Sequence, residues 1–71
     1  MNYNQIQKER SIILSEFKKM GFWGKTAFFN VCKSLDVTLN GFELLQFYEG
    51  ISVKQSLINR LYAIIECVKN E

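Results

Sequence analysis

The chain has 71 residues, 48% of them hydrophobic and 14% aromatic, with no proline, no histidine, two cysteines and a formal net charge of +2. A chain this short forms one domain and buries about 60% of its unfolded surface, so the six Phe, three Tyr and one Trp must supply much of the core. The absence of histidine removes Ser-His and Cys-His catalysis, and two cysteines 35 positions apart make neither a zinc site nor a disulfide framework.

Further classes fall away on pattern. Gly21 and Gly24 are not followed by the Lys-Ser/Thr pair of a phosphate-binding loop, and Asp36 is the sole aspartate, so the chain is not expected to be an enzyme. No metal or cofactor is implied. The polar opening MNYNQIQKER lacks the apolar segment of a signal peptide, and no apolar run approaches the ~18 residues of a membrane span. Cytoplasmic location with no membrane contact is the expectation, with Cys32 and Cys67 as buried free thiols. Charge is uneven: six cations face two anions in residues 1–35, and three face five in residues 36–71. A basic first half suits a phosphate-bearing partner, while a solvated helix surface explains it equally.

Taken in order, residues 1–4 are expected to fray. Ile6, Ile13, Phe17 and Met20 recur at helical spacing, with Ile12 and Leu14 at the sides, which predicts a helix over about 5–20. Lys18 and Lys19 suit its C-terminal dipole, and Gly21 is the expected cap. Phe22 and Trp23, bracketed by glycines, form a turn and are expected to plug the seam between the first two helices.

A second helix is predicted over 25–35, with Phe28, Val31, Cys32 and Leu35 as its buried face. Asp36 to Leu39 breaks the period. Asn40 then offers an N-cap with Glu43 three positions on, a capping-box pattern, and Thr38 is a competing start. The third helix runs to about Glu49 with Phe42, Leu45 and Tyr48 toward the core and Leu44 and Phe47 beside them; Gly50 ends it. Ser52-Val53-Lys54-Gln55 reads as a second capping box that opens a long helix over about 53–69. Its stripe is Leu57, Leu61, Ile64, Ile65 and Val68, widened by Ile58 and Tyr62. The expected fold is all-α: a single four-to-five-helix bundle over residues 1–71, in which the second and third helices form a helix-turn-helix-like pair.

The residues Leu35-Asp36-Val37-Thr38, a following helix, the ending Tyr48-Glu49-Gly50 and a closing helix from Ser52 to Ile65 resemble the small phage-repressor or Cro-like helix-turn-helix proteins over about 25–66. At the position of Asp36 that family carries a Gly in a left-handed turn, and Asp tolerates positive φ better than most residues. The resemblance implies a DNA-binding transcriptional regulator that takes double-stranded DNA, with a recognition helix over about 40–49. In that arrangement Asn40 and Gln46 face base edges and Thr38 meets the groove edge or a phosphate. Lys25, Lys33 and Lys54 contact the phosphate backbone. The recognition helix itself carries no Lys or Arg. Its apolar character supports a second reading, a small helical protein-interaction module of the phage or mobile-element accessory kind that does not bind DNA. There a homodimer or protein partner docks through Phe47, Leu44 and their neighbours.

Overall fold

The computed structural model describes residues 3–70. Among them the chain forms four α-helices and no strand: α1 (Tyr3–Lys19), α2 (Gly24–Leu35), α3 (Gly41–Glu49) and α4 (Gln55–Lys69). The all-α expectation holds with four helices. Tyr3 and Asn4, expected to fray, are helical, while residues 1 and 2 lie outside the described part.

Two of the three connections close with the same hydrogen-bond pattern. At the end of α1 the Phe22 amide bonds Phe17 O at 2.9 Å and the Gly21 amide bonds Lys18 O at 3.0 Å. At the end of α3 the Ile51 amide bonds Gln46 O at 3.0 Å and the Gly50 amide bonds Phe47 O at 3.1 Å. These are Schellman closures, which need a residue at positive φ. Gly21 (φ 96°) and Gly50 (φ 74°) supply it without the steric cost of a Cβ.

The N-termini behave less uniformly. Asn40 caps α3 as expected, its Oδ1 accepting from the amides of Phe42 (2.8 Å) and Glu43 (3.2 Å). The second capping box does not form. α4 begins at Gln55, two residues late, with Lys54 at its N-cap, no side-chain cap bond, and Ser52 exposed.

The helices pack around Phe28 of α2. Its ring meets Phe17 edge-on at 4.9 Å, stacks on Phe47 at 5.9 Å and lies 5.7 Å from Tyr48. Ile13, Cys32, Leu39, Leu44, Leu57, Ile58, Leu61, Ile64 and Ile65 complete the buried core. α1 and α4 run parallel. The Tyr62 hydroxyl bonds the Glu9 carboxylate near their middles, and Lys69 pairs with Glu16 at 3.1 Å seven residues further along both helices. α2 runs the other way, so that Asp36 at its end reaches Arg60 in the early part of α4.

The structure departs from the sequence expectations at several places. On α3 Leu44 and Phe47 are fully buried, whereas Phe42 is 66% exposed and Leu45 and Tyr48 are half-buried. Apolar side chains occur all round this helix, so its rotation is set by the fit of Phe47 onto Phe28 rather than by pattern. Trp23 does not plug the seam. Phe22 takes that place against Phe17 at 6.3 Å, and Trp23 stands 69% exposed with the Lys18 ammonium 5.9 Å from its ring. Leu35 is 39% exposed at the end of its stripe, and Val68 is half-buried. Cys32 is buried, and the apolar surroundings raise its thiol pKa to about 12, but Cys67 is exposed. Finally, Asp36 has a negative φ of −143°, so the turn after α2 is not left-handed at that residue.

Candidate nucleic-acid interface

The segment joining α2 to α3 is built on Asp36. Its Oδ1 accepts from the Thr38 amide at 3.2 Å and the Thr38 hydroxyl at 2.6 Å, a side-chain turn that reverses the backbone. Its Oδ2 accepts from Arg60 Nε at 3.0 Å and Nη2 at 2.7 Å, and Nη2 also donates to the Thr38 hydroxyl. The Thr38 hydroxyl, then the Arg60 guanidinium, stabilise the charged carboxylate and hold the Asp36 pKa below the ordinary aspartate value. Leu39 follows, 2% exposed, and pins the segment to the core. The turn is thus braced from α4.

α3 is held at its other end by α1. Arg10 Nε donates to Phe47 O at 2.6 Å, Arg10 Nη2 donates to Tyr48 O, and Gln7 Nε2 reaches Gly50 O at 3.5 Å. Tyr48 O gains a donor it otherwise lacks, Phe47 O gains a second beside the Gly50 amide, and the cation opposes the negative end of the dipole. With Leu44 and Phe47 inward, the opposite face of α3 carries Phe42, Leu45, Gln46 and Glu49, following the 3.6-residue period.

The three lysines expected to meet phosphate come from three different elements, and all border this helix. Lys33 Nζ donates to Leu39 O at 3.2 Å, just before α3. Lys54 pairs with Glu43 in the first turn at 3.2 Å, and Lys25 lies 4.0 Å from Glu49 in the last. Each lysine is well exposed, so these pairs stand in water.

The remaining expected residues lie along the same edge. Asn40 is exposed; its Oδ1 is used by the cap, and its amide NH2 makes no hydrogen bond among the described residues. Gln46 is half-buried on the outward face. Thr38 is exposed, but its hydroxyl both donates to Asp36 and accepts from Arg60, which leaves it structural work at the turn.

Leu44 and Phe47, the residues expected to dock a protein partner, are 0% exposed and offer no surface. The apolar side chains that do reach solvent near this edge are Val37 (79%) and Phe42 (66%). Sequence reasoning also missed Arg10 and Arg60. Arg10 carried a signal, because it occupies the apolar stripe of α1 between Ile6 and Ile13. Among the described residues no cluster of His, Cys, Asp or Glu is arranged to hold a metal ion, and no helix is long and apolar enough to cross a membrane. No protein-family model matches the chain, and neither a curated protein nor a solved structure matches it.

Proposed function

We propose that the protein is a DNA-binding regulator in which α2 and α3 act as a helix-turn-helix pair, with α3 presented to the major groove. The observation that supports this reading is the convergence on α3 of Lys25, Lys33 and Lys54, which are scattered in sequence. Exposed ion pairs contribute only about 0–1 kcal/mol, so a phosphate oxygen readily replaces a glutamate as partner. In this reading the lysines contact phosphates and set position. The Asn40 amide and Gln46 read base edges, and Phe42 packs against thymine methyl groups. Thr38 and Asp36 keep the turn in shape.

Glu43 and Glu49 oppose the approach of DNA and weaken it in a defined way. Fluorescence anisotropy with a labelled mixed-sequence duplex at low and high salt tests the scheme. Binding is expected to fall as salt rises, because each neutralised phosphate releases counterions. Lys25→Glu with Lys33→Glu should weaken all duplexes alike, and Glu43→Gln with Glu49→Gln should tighten binding several-fold. No binding at low salt by folded protein overturns the reading.

A second reading rests on Val37 and Phe42, whose exposed apolar side chains flank the same turn and suit a protein partner or a second copy. Sedimentation velocity separates the two. Association at high concentration that Phe42→Ser abolishes, with the helical spectrum retained, favours docking; a monomer at all concentrations removes the self-association version.

A further inference from the structure

Away from the α3 edge, α1, α2 and α3 enclose a partly open cavity of about 180 Å³. Leu14, Phe22, Phe28 and Tyr48 form much of its apolar wall, and Arg10 and Lys18 supply its charge. Arg10, Leu14 and Lys18 are spaced four residues apart on one stripe of α1, so the Cα atoms of the two cations stand about 12 Å apart along the helix at 1.5 Å per residue. A ring fits between them. For scale, an apolar protein cavity of about 150 Å³ admits benzene.

The charge in this cavity is unbalanced. Lys19, Lys25, Lys54, Arg60 and Lys69 each pair with a carboxylate; Lys8, Arg10, Lys18 and Lys33 have none within 4.0 Å among the described residues, and of these four Arg10 and Lys18 line the cavity. Arg10 spends Nε and Nη2 on the carbonyls of Phe47 and Tyr48. A guanidinium has five N–H donors, so three remain. Lys18 is exposed, and its ammonium rests 5.9 Å from the Trp23 ring. Two cations without carboxylate partners at the ends of an aromatic-walled cavity select a ligand with an apolar ring and a negative group.

We propose that this cavity binds a small aromatic monocarboxylate. Its ring lies against Leu14, Phe22 and Tyr48, the half-buried side chains of the wall, and its carboxylate is directed outward to Lys18, which leaves the Trp23 ring to meet it. The positive field of Arg10 adds to the attraction without a change in its bonds to α3. The inference stands on α1 and the aromatic cluster and does not depend on DNA binding.

Backbone amide NMR titration with sodium benzoate tests it, with benzyl alcohol and sodium acetate as matched probes. Saturable shifts are expected at Leu14, Phe22, Gly24 and Tyr48 with benzoate, and much weaker binding with either other probe, since each lacks the charge or the ring. Lys18→Gln, an exposed change outside the core, should weaken benzoate roughly fivefold, the size of one partly exposed charge pair. Leu14→Trp, which fills the cavity from α1, should abolish the shifts. The proposal is overturned if benzoate causes no saturable shift in the folded wild type. It is equally overturned if acetate reproduces the benzoate shifts at the same concentration, or if Lys18→Gln binds benzoate as wild type does.

Discussion

Arg10→Ala removes the clamp that α1 places on the end of α3. The side chain donates two charge-assisted hydrogen bonds, to Phe47 O at 2.6 Å and to Tyr48 O, and sets its charge against the negative end of the helix. A hydrogen bond from a charged donor contributes about 1.5–3 kcal/mol, and a cation at a helix C-terminus about 0.3–1 kcal/mol. The guanidinium is half-buried and the freed carbonyls can turn to water, so the low end applies to the pair together: about 2 kcal/mol. For a domain of this size each kcal/mol moves the melting temperature by about 4–8 °C, which gives a loss of about 8–16 °C. A domain this small holds about 3–5 kcal/mol in total, so the variant still folds at room temperature and melts early. Urea denaturation followed by circular dichroism measures the loss. Amide exchange locates it, because the Gly50 and Ile51 amides that close α3 should lose protection before those of α4. Arg10→Lys, which keeps the charge but not the fork, should fall between wild type and alanine. A change below about 0.5 kcal/mol for Arg10→Ala, or unchanged exchange at Gly50 and Ile51, would refute the clamp.

Other predictions follow from the same geometry. Asn40→Ala leaves the amides of Phe42 and Glu43 without their acceptor and should cost about 1 kcal/mol in urea denaturation, with Asn40→Asp close to wild type. Phe28→Ala should cost about 3–5 kcal/mol, as much as the whole domain holds, and leave the chain largely unfolded by circular dichroism, because its ring meets three aromatics on other helices, whereas Trp23→Ala should cost under about 0.5 kcal/mol and Trp23 fluorescence should already be that of a water-exposed indole. Asp36 has a lowered folded pKa, so its stabilising contribution is present above the unfolded value and is lost as pH falls below about 4 through the folded value. Asp36→Asn should flatten stability in that acid window. Tyr62 behaves oppositely: burial first, then its bond to Glu9, raises its pKa to about 12, so its contribution holds below about 10 and fades between about 10 and 12. Tyr62→Phe should remove that alkaline slope in a pH series of melts.

The helices themselves were legible because their signals are local. Gly21 and Gly50 end α1 and α3 where the sequence placed them, since only a residue at home with positive φ closes those turns. Asn40 capped α3 for the same kind of reason, with donor and acceptor two and three residues apart. The Ser52 box did not form: α4 starts at Gln55 behind Lys54, which puts Ser52 two residues outside the N-cap and its pattern out of register. The α3 face was misjudged because Phe42, Leu44, Leu45, Phe47 and Tyr48 spread apolar side chains around the helix, and Glu43, Gln46 and Glu49 mark only a narrow polar stripe.

The candidate site divides along the same line. Lys25, Lys33 and Lys54 could be chosen from charge alone, but their meeting around α3 requires α2, the turn and the approach to α4 to be folded together. The structural roles of Arg10 and Arg60 are bonds across 37, 38 and 24 residues of chain, and no periodicity encodes a partner at that distance. Sequence by itself determined the all-α class, the approximate span of each helix, and the lack of histidine-based chemistry, because propensity, capping and composition act within a few residues. Only the tertiary structure decided which face of α3 is buried, that Trp23 and Phe42 stand in water, and that Arg10 and Lys18 share a cavity. Those outcomes depend on which helix packs where, and packing is settled by the fit of side chains remote in sequence.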